Sequence, residues 1–190
     1  MAQAGERRAG RPGQEGEREF VEAILRKDRK ATAAFVARFA DPVHSFVKWR
    51  LARSGQSVDD VVQEVFLEAW RGLPRYRGDG SLLSWILGIA RHKVQDHYRV
   101  ALRNAEFDES VEETQVELPR IEGDLLRRER GERVQAVLAE LPEAYRAVLL
   151  WRYWEAQSAA VIAAAIGRSE KAVERLLARA RAQFKARYEA

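Results

Sequence analysis

The stretch NAEFDESVEETQVELPRIEGDLLRR, residues 104–128, limits what this chain can fold into more than any other feature. It carries 8 acidic and 3 basic side chains, Pro119 and Gly123, and no sustained apolar periodicity. Such a segment cannot bury enough apolar surface to offset the entropy of ordering it, so it reads as an extended linker. The chain is therefore expected to form two domains and a tether rather than one continuous core. The flanking blocks have the opposite sign, with 19 basic against 13 acidic side chains in residues 1–103 and 11 against 8 in residues 129–190. The net charge of +4 is too small to name a partner, whereas this segregation is informative.

Residues 1–18, MAQAGERRAGRPGQEGER, are polar and lack the apolar segment of a signal peptide, which predicts a disordered leader on a cytoplasmic protein. Cysteine is absent, and no apolar run approaches the ~18 residues of a membrane span, so neither disulfides nor membrane insertion is expected. His44, His92 and His97 do not form a metal-ligand spacing, and no phosphate-cradling loop or nucleophile elbow occurs. The sequence thus implies no metal, no cofactor and no catalytic residue. His92 and Asp96, four apart, read as a surface pair more readily than as an acid-base dyad.

The remainder has helical periodicity throughout, which predicts an all-α fold of two small helical domains over 19–103 and 129–190. Phe35, Val36, Phe39, Val43, Phe46, Val47 and Leu51 recur at three- and four-residue steps, interrupted at Asp41-Pro42, as two helices or one kinked helix would require. A cleaner helix spans Val58 to Trp70, with Ser57 as N-cap and Val58, Val61, Val62, Val65, Phe66 and Ala69 facing inward. After the loop GLPRYRGDGS, Ser81 is placed to cap a helix whose Leu82, Trp85, Ile86, Ile89 and Ala90 face the core. In the C-terminal block, one helix stops at Pro142, the next ends near Trp154, a short one runs from about Ser158 to Ile166, and Ser169 caps the last.

Three constellations carry chemical meaning. Ala163, Gly167, Val173 and Leu176 have the layout of a helix-turn-helix, with a small residue at the crossing, a glycine for the left-handed turn and two anchors on the second helix. Residues 168–187 hold 7 basic and 2 acidic side chains, suited to phosphate contacts in a major groove; the plainer reading is a solvated surface helix. Asp60, Glu64 and Glu68, with Asp59 and Gln63 beside them, form an acidic stripe. First-turn acids complement a helix dipole, yet Glu68 lies too far along for that, and the stripe suits a basic protein partner. Finally, Arg75, Tyr76 and Arg77, followed by Trp85, Arg91, His92, Lys93 and Arg99, interleave rings with cations as single-strand binders do. Tyr76 is the better stacking candidate, since Trp85 lies on the apolar stripe; an ordinary loop tyrosine fits as well.

These residues resemble a known family. DDVVQEVFLEAWRGLPRYRGDGSLLSWILGIARH is similar to region 2 of extracytoplasmic-function sigma factors, and LPEAYRAVLLWRYWEAQSAAVIAAAIGRSEKAVERLLARAR to their region 4. The resemblance implies a bacterial initiation subunit that binds core RNA polymerase, melts and reads the −10 element with one domain and reads the −35 element with the other. It implies that Asp60, Gln63 and Glu64 dock on the polymerase. Tyr76 and His92, where the family commonly has Asn, are implied to flank the pocket for a flipped −10 base, with Arg75, Arg77, Arg91 and Arg99 on the same DNA. Ser169, Glu170, Lys171, Ala172, Arg175 and Arg179 match the −35 recognition helix, with Arg168, which replaces a commonly apolar turn residue, on the same DNA, while Leu176 stands where many relatives carry Arg. An anti-sigma factor is a further candidate partner. A stand-alone helix-turn-helix regulator is the alternative, but it leaves the acidic stripe and loop aromatics unused; an all-helical adaptor leaves the basic helix unused.

Overall fold

The computed structural model describes residues 12–51, 57–104 and 124–190, with side chains from residue 16 in the first span and from residue 131 in the last. Among these residues there is no strand. The helices are α1 (Pro12–Leu25), α2 (Arg29–Leu51), α3 (Val58–Gly72), α4 (Leu82–Arg103), α5 (Asp124–Glu140), α6 (Glu143–Leu149), α7 (Ala159–Ile166) and α8 (Glu170–Glu189). A 3-10 turn over Leu73–Arg75 follows α3, and a π-helical turn over Leu150–Trp154 extends α6.

Two elements differ from the sequence expectation. Helix α1 starts at Pro12, inside the segment expected to be a disordered leader; residues 1–11 lie outside the described residues. Its order has a tertiary cause, because Val21 and Ile24 are buried while Glu17 and Arg18 bond the 76–82 loop. Helix α2 runs unbroken through Pro42, where two helices or a kink were expected. Phe35, Phe39, Val43, Val47 and Leu51 fall at four-residue steps and are each at most 2% exposed. Burying each contributes about 1.5–3 kcal/mol, which outweighs the ~3 kcal/mol cost of one helical proline on the exposed face.

The described residues group into two compact units. The first takes in residues up to Val47 together with Val58–His92, and the second takes in the end of α2 and everything from Lys93 onward. The seam thus falls inside α2 and α4 rather than at residue 103. The expected linker also ends early, since α5 begins at Asp124; residues 105–123 lie outside the described residues.

In the first unit, Phe35 makes edge-on ring contacts with Phe39, Phe66 and Trp70 at centroid distances of 5.3, 5.9 and 6.3 Å. In the second, Arg50 Nε donates to Glu155 Oε1 at 3.1 Å, with both side chains buried. The Trp49 and Trp154 rings lie 4.0 Å apart, and the Tyr98 hydroxyl donates to the Arg50 carbonyl at 3.4 Å. These contacts account for the seam: the last turn of α2 and the far half of α4 supply the ground on which α6 and its π-helical turn rest. Ala156, in the left-handed region at φ 53°, turns the chain just after Glu155. Burial pushes the Tyr98 phenol far up from its ordinary value and pulls the Arg146 guanidinium down.

Candidate nucleic-acid interface

The loop after α3 is built to present a ring. Leu73, 1% exposed, pins its start, and Gly78 turns the chain at φ 76°, a conformation that disfavours residues with a Cβ. Tyr76 OH then donates across the turn to the Gly80 carbonyl at 2.6 Å, and its ring meets Trp85 of α4 at 5.4 Å. Gly72 gives the ring room, because a Cβ there would stand 2.9 Å from the Trp85 indole and force it to shift. Burial, followed by the nearby Glu17 charge, raises the Tyr76 pKa, so the phenol stays a neutral donor. Arg75, Tyr76, Arg77, Asp79, Gly80, Ser81, Ser84 and Trp85 line an open depression of about 380 Å³. Two cations, an aromatic floor and several hydroxyls make a surface on which a base can stack while its phosphates meet arginine.

Two backbone donors in the first turn of α4 are satisfied by side chains. Ser84 N–H donates to Ser81 Oγ at 3.1 Å, as the sequence predicted for a Ser81 cap, and Leu82 N–H donates to Glu17 Oε2 at 2.9 Å. His92 is not among the residues lining the depression. It lies eight positions beyond Ser84, about 12 Å along a helix rising 1.5 Å per residue, and is exposed next to exposed Arg91. Tyr76 thus lines the depression and His92 stands further along α4. Arg99 belongs to the second unit and pairs with Asp96.

On α3 the expected division of faces is present: Val61, Val65 and Ala69 are buried, while Asp60, Gln63, Glu64 and Glu68 are exposed. In the second unit, α7 and α8 form a helix-turn-helix wired by its own termini. Val161 N–H donates to Ser158 Oγ and Ala172 N–H to Ser169 Oγ, each at 3.2 Å. Gly167, at φ 71°, closes α7 in the left-handed conformation, and Arg168 N–H donates to the Ala163 carbonyl at 3.0 Å. Val173, Leu176, Leu177, Ala180 and Phe184 are buried. Leu176 is thus a core anchor, 1% exposed. Arg168, Ser169, Glu170 and Lys171 are exposed, whereas Ala172, Arg175 and Arg179 are half-buried.

Residues 35–104 match the family model described as Sigma-70 region 2, and residues 131–184 match Sigma-70, region 4. Together these spans cover well over half of the chain, in the order the residues above suggested. The chain belongs to the sigma-70 family. It is a sigma factor of the extracytoplasmic-function group, a class that directs RNA polymerase to promoters, so the stand-alone regulator reading is set aside. The chain is 29% identical to RNA polymerase sigma-H factor of Pseudomonas aeruginosa over 156 residues, covering 76% of this chain and 79% of that one. It is 37% identical to ECF RNA polymerase sigma factor SigD of Mycobacterium tuberculosis over 123 residues, covering 64% of this chain and 58% of SigD. ECF RNA polymerase sigma-E factor of Escherichia coli is 37% identical over 78 residues, 41% of this chain and 40% of that one. Sigma factors are initiation factors rather than enzymes. No helix among the described residues is long and apolar enough to cross a membrane.

Sequence reasoning about this sigma factor missed the ring beneath Tyr76 and the residues that fasten its loop. Trp85 read as core from its apolar stripe, yet it is half-buried and forms the floor under Tyr76. Glu17 and Arg18 were assigned to the leader. Phe20, Val21 and Ile24, at helical spacing directly after them, were the available signal for α1.

Proposed function

We propose that this sigma factor reads both promoter elements and opens the DNA between them, with residues 19–103 serving core binding and the −10 element and residues 129–190 serving the −35 element. The observation that carries the reading is the coexistence in one chain of a self-capped helix-turn-helix, a cation-rimmed aromatic depression and an exposed acidic helix face. In this reading Asp60, Gln63 and Glu64 meet a basic surface on bacterial core polymerase, where opposite charge supplies orientation and rate. Lys171, Arg175 and Arg179 enter the −35 major groove with Arg168, Ser169, Glu170 and Ala172 at its edge, and Arg175 reads a base.

At the −10 element the depression takes an extruded base onto the Tyr76 ring. Unstacking costs a few kcal/mol per base, which stacking and edge hydrogen bonds offset in part. Arg75 and Arg77 neutralise the adjoining phosphates, and Arg91, His92 and Arg99 contact −10 DNA further along α4. The working compartment is the cytoplasm, where core polymerase and promoter DNA are found, and an anti-sigma factor is the candidate inhibitor.

The test combines the full chain with bacterial core polymerase on promoter DNA. Promoter-directed transcripts are expected, and Tyr76→Ala should reduce permanganate reactivity of unpaired −10 thymines more than it reduces closed-complex binding. Equal reduction of both would remove the depression from the melting step, and absence of promoter-directed transcripts would overturn the function.

A further inference from the structure

The depression is lined by one loop and the first turn of α4, but the side chains that fasten this loop come from a distant part of the sequence. Glu17 Oε2 accepts from Leu82 N–H at 2.9 Å and lies 3.3 Å from the Tyr76 hydroxyl, while Oε1 stands 4.0 Å from Arg38 Nη2. The next residue, Arg18, donates from Nη2 to the Arg77 carbonyl at 3.3 Å and lays its Nε 3.3 Å from where a Cβ on Gly78 would stand. Two consecutive residues of α1 thus hold both ends of the 76–82 turn. Neither lines the depression, and both precede the Sigma-70 region 2 match.

The loop needs such a fastening. Gly78 and Gly80 give its backbone little stiffness, and the short Tyr76–Gly80 hydrogen bond ties the loop only to itself. The Tyr76 hydroxyl has one proton, already donated to Gly80, so Glu17 acts chiefly through Leu82 N–H. There its carboxylate also meets the positive end of the α4 dipole, in a half-buried setting where a charge-assisted hydrogen bond is strong.

We propose that Glu17, assisted by Arg18, is a positioning residue for −10 readout: the α1 clamp fixes the pose of the Tyr76 loop and thereby sets base discrimination without touching the base. This rests on the reading of the depression as the base pocket. A ring displaced by a fraction of an ångström no longer offers the same stacking and edge geometry, so loosening the clamp should blur selection before it abolishes binding.

The test uses the full chain with bacterial core polymerase on a promoter library randomised across the −10 element. Glu17→Ala should lower discrimination about tenfold at one position, the worth of one charge-assisted hydrogen bond. Co-purification with core and dependence on the −35 element should stay at the parent level. Glu17→Gln, whose amide oxygen still accepts from Leu82 N–H, should restore most of the discrimination, and Arg18→Ala should lose part of it. Unchanged discrimination in Glu17→Ala, with Tyr76→Ala losing it, would overturn the clamp and leave the pocket reading standing. Unchanged preference in Tyr76→Ala would overturn the pocket reading and the clamp with it. Should Glu17→Ala lose core binding as well, the exposed Arg18→Ala decides: unaltered discrimination there reduces α1 to a structural support and overturns the proposal.

Discussion

The helix-turn-helix and the Tyr76 loop are both positioned by side chains bonding backbone, but over very different sequence distances. Ser158 reaches Val161 and Ser169 reaches Ala172, each three residues along, and the Gly167 turn lies between them. Glu17 reaches Leu82 across 65 residues, and Arg18 reaches Arg77 across 59. A local cap forms as its helix forms, whereas a clamp between distant segments exists only once the fold around it is assembled. Helix α8 is therefore a robust element and the loop a conditional one. In the proposed function, this division suits a reader of intact duplex on one side and a loop that accepts an extruded base on the other.

The strongest way to break the comparison is to attack a long-range contact beneath the locally wired element. Glu155→Ala removes a buried carboxylate from Arg50, 105 residues away, and should cost about 3–5 kcal/mol, read by denaturant unfolding followed through tryptophan fluorescence. A cost no larger than that of a lost helix cap would mean that local wiring alone sustains the second unit. A smaller effect comes from the local devices themselves. Gly167→Ala should cost about 1–2 kcal/mol, because alanine is strained at this positive φ, and Ser169→Ala about 1 kcal/mol; thermal melts check both. Neither should alter −10 base preference, and a shift in that preference would show that the two readers are not separable.

The smallest effect sharpens the comparison at alkaline pH. Tyr98, which donates to the Arg50 carbonyl, titrates well above the ordinary phenol value of 10.0 when folded. Above that value the native state holds a proton the unfolded chain has released, so stability falls as pH rises. Near neutrality this group contributes no pH dependence. Tyr98→Phe should therefore flatten the alkaline loss of stability relative to the parent chain, measured as unfolding midpoints across a pH series.

What was legible in advance follows the same division. The Gly167 turn, the Ser169 cap, the Ser81 cap, the buried Val173 and Leu176, and the opposed faces of α3 all depend on residues within one or two helical turns of each other. Their spacing is written in the chain. Pro42 misled because a local rule met five buried side chains at four-residue steps that hold α2 together regardless. Trp85 misled because a stripe position says that a ring faces inward without saying that Gly72 leaves it room beside Tyr76.

The sequence by itself determined the helical class, the positions of the caps, the charge segregation and the family, because each is a matter of residue type at short spacing. The tertiary structure decided that α1 is a helix docked on the loop and that the compact units divide inside α2 and α4. It also decided that Arg50 shares a buried ion pair with Glu155 and that Glu17 bonds the start of α4. Each of these is a meeting of groups 59 or more residues apart or, for the seam, a consequence of such meetings. Their free energy depends on desolvation and geometry that arise only when the surrounding helices have packed, and no periodicity along the chain encodes that.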